Sequence, residues 1–368
     1  MARKLQTDLV LLASILVLVA VGLAMVFSAS AVVAAEQYGS SFHFVIRQAI
    51  WAALGLAVMW KLMSFDYRRL RSARLIFPAL SLQLFLLAAV LLMPVRHATH
   101  RWFYSGPLSF QPSELAKIML LVFVAYFLDR QRHVINDLRH TLAPIGLVIV
   151  LMVALVLKEP DLGTSLALVM IAAAMLFAAG LRFRYFVGAG LAALPVLYLA
   201  VTHAAYRTNR LIAFLHPESD PLGKGFQILQ SLIAVGSGGI LGVGLGEGHQ
   251  KLFFLPDPQT DFIYAVVSEE WGFIGAVLLL LLFGVLLWRG LRTAAAAPDG
   301  FGKLLAIGLT VLLVGQALVN MSVVIGLVPT KGIPLPFVSY GGSSLLIDLI
   351  AAGLLLNISQ QSSGNSVF

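Results

Sequence analysis

Apolar runs recur along almost the whole sequence, and each is about 17–25 residues long, enough to cross a bilayer as a helix. The chain is 60% hydrophobic and only 11% charged, whereas a soluble domain carries about a quarter charged residues. The sequence therefore predicts an all-α polytopic membrane protein, a single domain over residues 1–368. Ten spans are predicted, at residues 9–28, 45–64, 75–93, 113–128, 142–157, 164–181, 185–203, 271–288, 304–323 and 339–357.

Cysteine content and net charge exclude several kinds of site and partner. The chain has no cysteine, which excludes disulfides and thiolate metal sites. The first apolar run follows Arg3 and Lys4 without a convincing cleavage site, so we interpret it as a retained span rather than a signal peptide. In a chain this apolar, the net charge of +8 predicts basic cytoplasmic loops and no nucleic-acid partner.

The distribution of lysine and arginine predicts the orientation. With the N-terminus in the cytoplasm, 15 of the 25 basic residues face that side, and ten spans return the C-terminus there as well. The longest loop, about 204–270, then lies outside. The basic residues in short outer loops or at span ends indicate a surface for an anion such as a lipid phosphate, with snorkelling to headgroups as the alternative; they are Arg101, Lys117, Lys158 and Lys331.

The long outer loop has structure of its own in the sequence pattern. Its segment "FQILQSLIAV" is amphipathic and is typical of a helix along the membrane interface. Seven glycines follow between Gly236 and Gly248, but they match no nucleotide-binding motif and no strand precedes them. We interpret them as tight turns or sites of close approach to a ligand.

Charged residues at membrane depth are energetically unfavourable, so those that occur there are usually paired or functional. Glu114 and Lys117 are three apart after Pro112 and share a helix face, so they predict an ion pair that supports an inner cavity. Ser113 is a plausible N-cap of that helix. Asp161, in "KEPDLGTS", is either a cap of a helix that opens at Leu162 or a supporting polar group.

Four carboxylates lie in the segment "KLFFLPDPQTDFIYAVVSEEWGF". Thr260 is a possible N-cap of a helix that starts at Asp261, which would explain that one acid. The helix start explains the other three acids less well: Asp257, which we expect in an extended turn between two prolines, Glu269 and Glu270. The cluster is either a general base with supporting carboxylates or a divalent-cation site.

A second polar interruption, "VPTKGIPLPFVSYGGSS", breaks an apolar region at the predicted outer edge. Broken backbone at this depth is tolerated only inside protein or against a watery cavity. Lys331 in this segment is therefore a candidate phosphate ligand, and Ser339 is a further candidate contact to the same substrate.

These motifs resemble those of the SEDS family (shape, elongation, division and sporulation) along nearly the whole chain. The resemblance is carried by "FQPSELAKI", "EPDLGTS", "RLIAFLHPESDPLGKGFQILQSLIAVGSGG", "LPDPQTDFIYAVVSEEWGFIG" and "PTKGIPLPFVSYGGSS". The family pattern is L-P-E-x-H-T-D-F, so this chain departs from it at Asp257 and Gln259. Asp261 matches the aspartate that the family requires.

The resemblance implies a peptidoglycan glycosyltransferase that polymerises lipid II on the outer face of the bacterial cytoplasmic membrane. It also implies a divalent cation, Mg or Mn, and a class B penicillin-binding protein as crosslinking partner. The short chain ends favour the RodA branch, which works with the elongation machinery of the side wall, over the FtsW branch of the septum.

In this interpretation Asp261 is the general base, and membrane lipids surround the spans. The predicted substrate-binding residues are Lys331, Arg210, Lys251, Arg101 and Ser339, and the predicted supporting residues are Glu114, Lys117, Asp161, Asp257 and Glu269. A lipid II flippase and a non-catalytic scaffold for a penicillin-binding protein are the alternatives. A flippase needs a cavity that opens to both faces, whereas the polar motifs concentrate on one.

Overall fold

The computed structural model describes residues 7–93, 101–105, 108–202, 208, 212–221, 223, 225–329 and 332–362, and it is mostly helical. The helices are α1 (Leu9–Tyr38), α2 (His43–Met63), α3 (Ala73–Val90), α4 (Pro112–Arg130), α5 (Ala143–Lys158), α6 (Leu162–Ala178), α7 (Phe183–Thr202), α8 (Phe226–Ser237), α9 (Ile263–Ala296), α10 (Gly300–Thr310), α11 (Gln316–Val324) and α12 (Gly342–Ser362). Short 3₁₀ turns lie at Tyr67–Arg71 and Pro217–Ser219, and π turns lie at Leu138–Leu142 and Val311–Gly315. The strands β1 (Phe103–Ser105) and β2 (Leu108–Phe110) form one antiparallel hairpin.

Each of the ten predicted spans falls on a helix, but seven helical segments in the described part of the chain are long and apolar enough to cross a membrane. The seven are Leu9–Tyr38, His43–Met63, Ala73–Val90, Leu138–Lys158, Ile263–Ala296, Gly300–Val324 and Gly342–Gln361. The other three predicted spans fall on α4, α6 and α7, which are not among the seven. The helix α4 has charged residues at both ends, and α6 has only 17 residues. An integral membrane protein is therefore supported, and the number ten stays a prediction.

The predicted boundaries of two spans are too short. The helix α1 continues to Tyr38 and ends at Gly39, whose φ of 71° is the left-handed conformation that commonly closes a helix. The helix α9 begins at Ile263 rather than near residue 271 and breaks at Gly272 (φ 65°, ψ −165°) before it continues to Ala296. The predicted eighth span is the part of α9 that follows this break.

The glycine-rich segment of residues 238–246 packs against the break in α9. The backbone N–H groups of Val243 and Gly244 donate to the carbonyls of Glu269 and Glu270, at 3.0 and 3.1 Å. In return, Phe273 N donates to Gly239 O at 2.8 Å. Gly238 and Gly242 permit this close backbone approach, because a Cβ there would clash with Ser268 O and Glu270 O respectively, and the positive φ of Gly239, Gly244 and Gly246 provides tight turns.

Three local expectations are wrong and one is confirmed. Gln111, not Ser113, occupies the N-cap position of α4, because Pro112 is already the first helical residue. Thr260 caps no helix, since α9 begins three residues later. Asp257 has φ 46°, so it is left-handed rather than extended. Asp161 does cap α6, which opens at Leu162.

The amphipathic segment of the long loop is helical, as α8. Its buried residues Ile228, Ser231 and Ala234 recur at helical spacing and face the protein, while Leu232 and Ile233 are exposed. Ser231 Oγ donates to Val324 O at 2.8 Å, which attaches α8 to the end of α11. The position of α8 along a membrane interface stays a prediction.

Candidate active site

Asp261 lies in a turn just before α9, and this turn is held by its own backbone. Both the N–H and the hydroxyl of Thr260 donate to Asp257 O, at 3.0 and 2.9 Å. A non-glycine residue with φ of 46° is uncommon, although aspartate tolerates the left-handed region better than most. The turn directs Asp257 to the surface and leaves Asp261 partly exposed.

The segment of residues 332–341 packs directly on this turn. Tyr340 N donates to Gln259 O at 2.8 Å, and Ser339 Oγ donates to Thr260 O at 2.5 Å. A Cβ on Gly332 would stand 3.3 Å from Asp261 Oδ2, so the carboxylate faces this backbone closely. The Asp261 turn and the 332–341 segment, whose residues are predicted to act on one substrate, are therefore in contact. Ser339 itself is buried, and its hydroxyl hydrogen-bonds within the protein.

Asn320, which the sequence analysis missed, joins the same two segments. From α11, its Nδ2 donates to Asp261 O and to Ile333 O, both at 2.8 Å. One buried amide thus fixes the backbone at Asp261 and the neighbouring segment at once.

The ion pair between Glu114 and Lys117 forms as predicted, with 2.7 Å between Lys117 Nζ and Glu114 Oε2. Both side chains are buried in the first turn of α4, and the ammonium also lies against the amide of Gln316. Asp348 on α12, which the sequence analysis missed, is buried and close enough to interact electrostatically with both members of the pair.

The start of α6 carries a second polar group beside the site. Asp161 accepts hydrogen bonds from Thr164 N, Thr164 Oγ1 and Gln111 Nε2, at 3.0, 2.9 and 3.1 Å. Two residues on, Gly163 lies so close to Gly332 that a Cβ there would stand 2.7 Å from Gly332 O. The beginning of α6, the Gly332 segment and Asp261 are therefore packed as one unit.

The turn between α5 and α6 contains the buried carboxyl group of Glu159. Glu159 is fully buried, and neither of its oxygens has a hydrogen-bond partner among the described residues. Burial, followed by the neighbouring charge of Asp161, raises the pKa of Glu159 to about 8. Arg101 donates to the backbone carbonyls of Glu159 and Pro160, so its guanidinium supports this turn.

Lys251 and Glu269 serve the loop before Asp261. Lys251 Nζ lies 2.6 Å from Glu270 Oε1, and it also donates to Ser28 Oγ and Gly246 O at 2.9 and 2.7 Å. Glu269 accepts from the backbone N–H groups of His249 and Gln250 at 2.8 and 3.1 Å. These contacts attach the 246–251 loop to α9 and α1, and a substrate role for Lys251 stays a prediction.

Two predicted substrate ligands, Lys331 and Arg210, lie outside the described residues. Within the described ranges, no three histidine, aspartate or glutamate side chains come together as a group that could hold a metal ion. The predicted divalent cation is therefore assigned no ligands.

The chain is similar to known proteins along almost its whole length. The family model of the FtsW, RodA and SpoVE cell cycle proteins matches residues 8–364. The chain belongs to this family. It is 45% identical to the probable peptidoglycan glycosyltransferase FtsW of Trichlorobacter lovleyi over 97% of this chain and 94% of that protein. It is 43% identical to the stage V sporulation protein E of Bacillus subtilis over 98% of this chain and 99% of that protein.

Solved structures agree with this assignment. A structure on the coordination of polymerisation and crosslinking by a peptidoglycan synthase complex contains a chain that superposes with a TM-score of 0.80, at 34% identity, covering 98% of this chain and all of that one. The rod shape determining protein RodA of Thermus thermophilus superposes with a TM-score of 0.72, at 30% identity, covering 98% and 99%. The SEDS resemblance is confirmed, while the relatives at 43–45% identity carry FtsW and SpoVE names rather than RodA.

Proposed function

We propose that this protein is a peptidoglycan glycosyltransferase that polymerises lipid II, with Asp261 as its general base. The glycosyltransferase activity follows the names of its family relatives. The observation that carries the catalytic assignment is the packing around Asp261. Its backbone is fixed by Asn320 and its carboxylate adjoins Gly332, yet the residue keeps part of its surface exposed.

In this mechanism Asp261 removes the proton from the attacking sugar hydroxyl. The resulting oxygen attacks the anomeric carbon of the lipid-linked donor, the bond to the pyrophosphate breaks, and the carbon is inverted. A base of this kind contributes about 10²–10⁴-fold to the rate. The substrate's reacting bond lies near the outer headgroups, which places the 204–270 loop outside and both termini in the cytoplasm.

Lys331 and Arg210 are the proposed ligands of the leaving pyrophosphate. Basic side chains suit this role because charge develops on the departing phosphate oxygens. Lys251 is less available to bind the pyrophosphate, because its ammonium already makes three contacts within the protein. Arg101 is likewise less available, because it donates to backbone carbonyls. A divalent cation would supply further positive charge there.

The proposed partner is a class B penicillin-binding protein that crosslinks the new strands. The similar chain in a synthase complex that couples polymerisation with crosslinking supports such a partner. Side-wall elongation is the role proposed from the sequence, and septal division is the second candidate because the FtsW relatives are 45% identical. Expression in cells depleted of either RodA or FtsW distinguishes the two roles, since the protein should restore growth in only one of them.

The test of the catalytic assignment is Asp261→Asn in purified protein given labelled lipid II. Asparagine keeps the size of the side chain and removes its basicity. We expect a folded protein whose polymerisation rate falls about 10²-fold or more. The parent assay also separates a polymerase from a flippase or a scaffold, which would give translocation or neither product.

Asp257→Asn is the matched control, because Asp257 lies in the same turn, is exposed, and already departs from the family pattern. We expect it to reduce the rate much less. If Asp261→Asn polymerises lipid II within a few-fold of the parent rate, Asp261 is not the base. Glu269 would not readily replace it, since its carboxylate is engaged by the two backbone N–H groups of the preceding loop.

A further inference from the structure

Glu159 and Asp161 are neighbouring buried carboxyl groups in opposite environments. Asp161 accepts three hydrogen bonds, two from Thr164 and one from Gln111. Glu159 is more deeply buried and neither of its oxygens has a hydrogen-bond partner within the described ranges. Of the two acids, Glu159 is therefore the one whose surroundings favour the protonated form, because burial raises its pKa.

The charged groups around Glu159 compensate a negative charge on it only in part. Asp161 opposes such a charge, and the Arg101 guanidinium favours it, but the hydrogen bonds of Arg101 go to the carbonyls of residues 159 and 160 rather than to the carboxyl group. Ser113 is its polar neighbour from α4, and Lys158, at the end of α5, is exposed. An ionised carboxylate in such a place costs far more free energy than a neutral acid.

The turn that contains Glu159 leads directly to the site. Four residues later, Gly163 rests on the backbone of Gly332, and Gly332 in turn adjoins Asp261 Oδ2. Asn320 ties the same segment to the Asp261 backbone. Any displacement of the turn at Glu159 is therefore transmitted by direct packing to the backbone that faces Asp261.

We propose that Glu159 is a positioning residue that works in its protonated form. As a neutral acid it allows the turn between α5 and α6 to pack without water against the Gly332 segment, and this packing holds Asp261 in place. Ionisation of Glu159 draws water into the turn and loosens the contact between Gly163 and Gly332. The activity readout rests on the proposed function, while the stability readout does not.

The sign of the pH dependence follows from the proton balance. Between the unfolded-state pKa of a glutamate, about 4.3, and the folded-state pKa of about 8, the folded protein binds one proton more than the unfolded chain. Stability is therefore highest below this interval and falls as pH rises through it. Polymerisation should fall about tenfold between pH 7 and pH 9, as the protonated fraction of a group with this pKa does.

The test is Glu159→Gln, which fixes the neutral state at constant size. Thermal unfolding of the detergent-purified full chain is measured from pH 5 to pH 9, alongside lipid II polymerisation. We expect parent activity at pH 7, a smaller activity loss at pH 9, and a melting temperature that falls less than the parent's across this range. Glu218→Gln, at an exposed glutamate, is the control and should keep the parent's profiles.

Three results would overturn the inference. One is a Gln variant that shows the same alkaline decline as the parent in both measurements. Another is a folded Gln variant with a tenfold lower rate at pH 7, because the neutral form would then be insufficient. The third is a Gln variant that fails to fold. A parent that makes no polymer at all contradicts the proposed function instead, and the unfolding profiles still decide the role of Glu159.

Discussion

Lys117 and Lys251 are the two buried lysines of the described structure, and each is paired with a glutamate at nearly the same distance. Lys117 Nζ is 2.7 Å from Glu114 Oε2, and Lys251 Nζ is 2.6 Å from Glu270 Oε1. The first pair lies within one turn of α4, while the second joins a loop to α9 across 19 residues of sequence.

The surroundings of the two glutamates differ more than the pairs themselves. Glu270 also accepts from Ser28 Oγ on α1 and from the N–H of Gly246, at 2.6 and 3.1 Å. For Glu114 Oε2, the Lys117 ammonium is the only partner that the described residues provide. Glu114 Oε2 thus depends on a single contact among the described residues, whereas Glu270 is one part of a network that holds three segments together.

The largest expected effect is that of Lys117→Met. Methionine fills the space but leaves Glu114 buried without its cation, and Asp348 loses the same neighbouring charge. Removing one member of a buried pair costs about 3–5 kcal/mol, and we expect a loss near 5 kcal/mol in the free energy of unfolding. Thermal or denaturant unfolding of the purified protein measures it. A loss below about 1 kcal/mol would show that the pair is not the source of stability here.

Exchanging the two charges within each pair tests how far each pair depends on its surroundings. Glu114→Lys combined with Lys117→Glu keeps opposite charges one helical turn apart, so it should recover part of what either single change loses. Exchange of Lys251 with Glu270 should recover nothing, because the N–H of Gly246 can only donate and would face an ammonium. Absence of recovery in the first exchange would favour separate roles for Glu114 and Lys117 in substrate contact.

Lys251→Met is expected to cost less, about 3 kcal/mol, at the lower end of the range for a broken buried pair. The reason is that Glu270 keeps the hydroxyl of Ser28 and the N–H of Gly246 after the ammonium is gone. The control is Lys61→Met, at an exposed lysine, which should change the unfolding free energy by less than about 0.5 kcal/mol. A cost for Lys251→Met above that for Lys117→Met would reverse the comparison.

The sequence predicts local features of this protein well. All ten predicted spans coincide with helices, the cap at Asp161 forms, and the spacing of Glu114 and Lys117 produces their ion pair. Each depends on residues within a few positions of one another, where the helix period fixes the geometry. Helix ends are less predictable: α9 begins at Ile263, nine residues before its break at Gly272, and backbone donors from the distant glycine-rich segment satisfy the carbonyls of Glu269 and Glu270 at that break.

The site itself depends on contacts between distant parts of the chain. The motifs identified Asp261, but nothing local shows that Asn320 holds its backbone or that Ser28 contacts Glu270. Lys251 was predicted as a phosphate ligand because an outer lysine beside an apolar span suits that role. Its pairing with Glu270 depends on how the 246–251 loop folds back on α9, which the order of residues does not reveal.

The smallest expected effect tests the network around Glu270 through a matched pair of serines on α1. Ser28 Oγ donates to Glu270, whereas Ser30 Oγ donates to Val26 O within its own helix. A hydrogen bond to a charged group contributes about 1.5–3 kcal/mol, so Ser28→Ala should cost about 1.5 kcal/mol while Ser30→Ala costs distinctly less. The two costs are compared by unfolding, first in the parent and then in Glu270→Gln. In that background the cost of Ser28→Ala should shrink toward that of Ser30→Ala, because the negative charge that strengthens the bond is gone. Equal costs for the two serines in the parent would mean that the Ser28 hydroxyl adds nothing to the network, and that Glu270 relies on Lys251 and the N–H of Gly246.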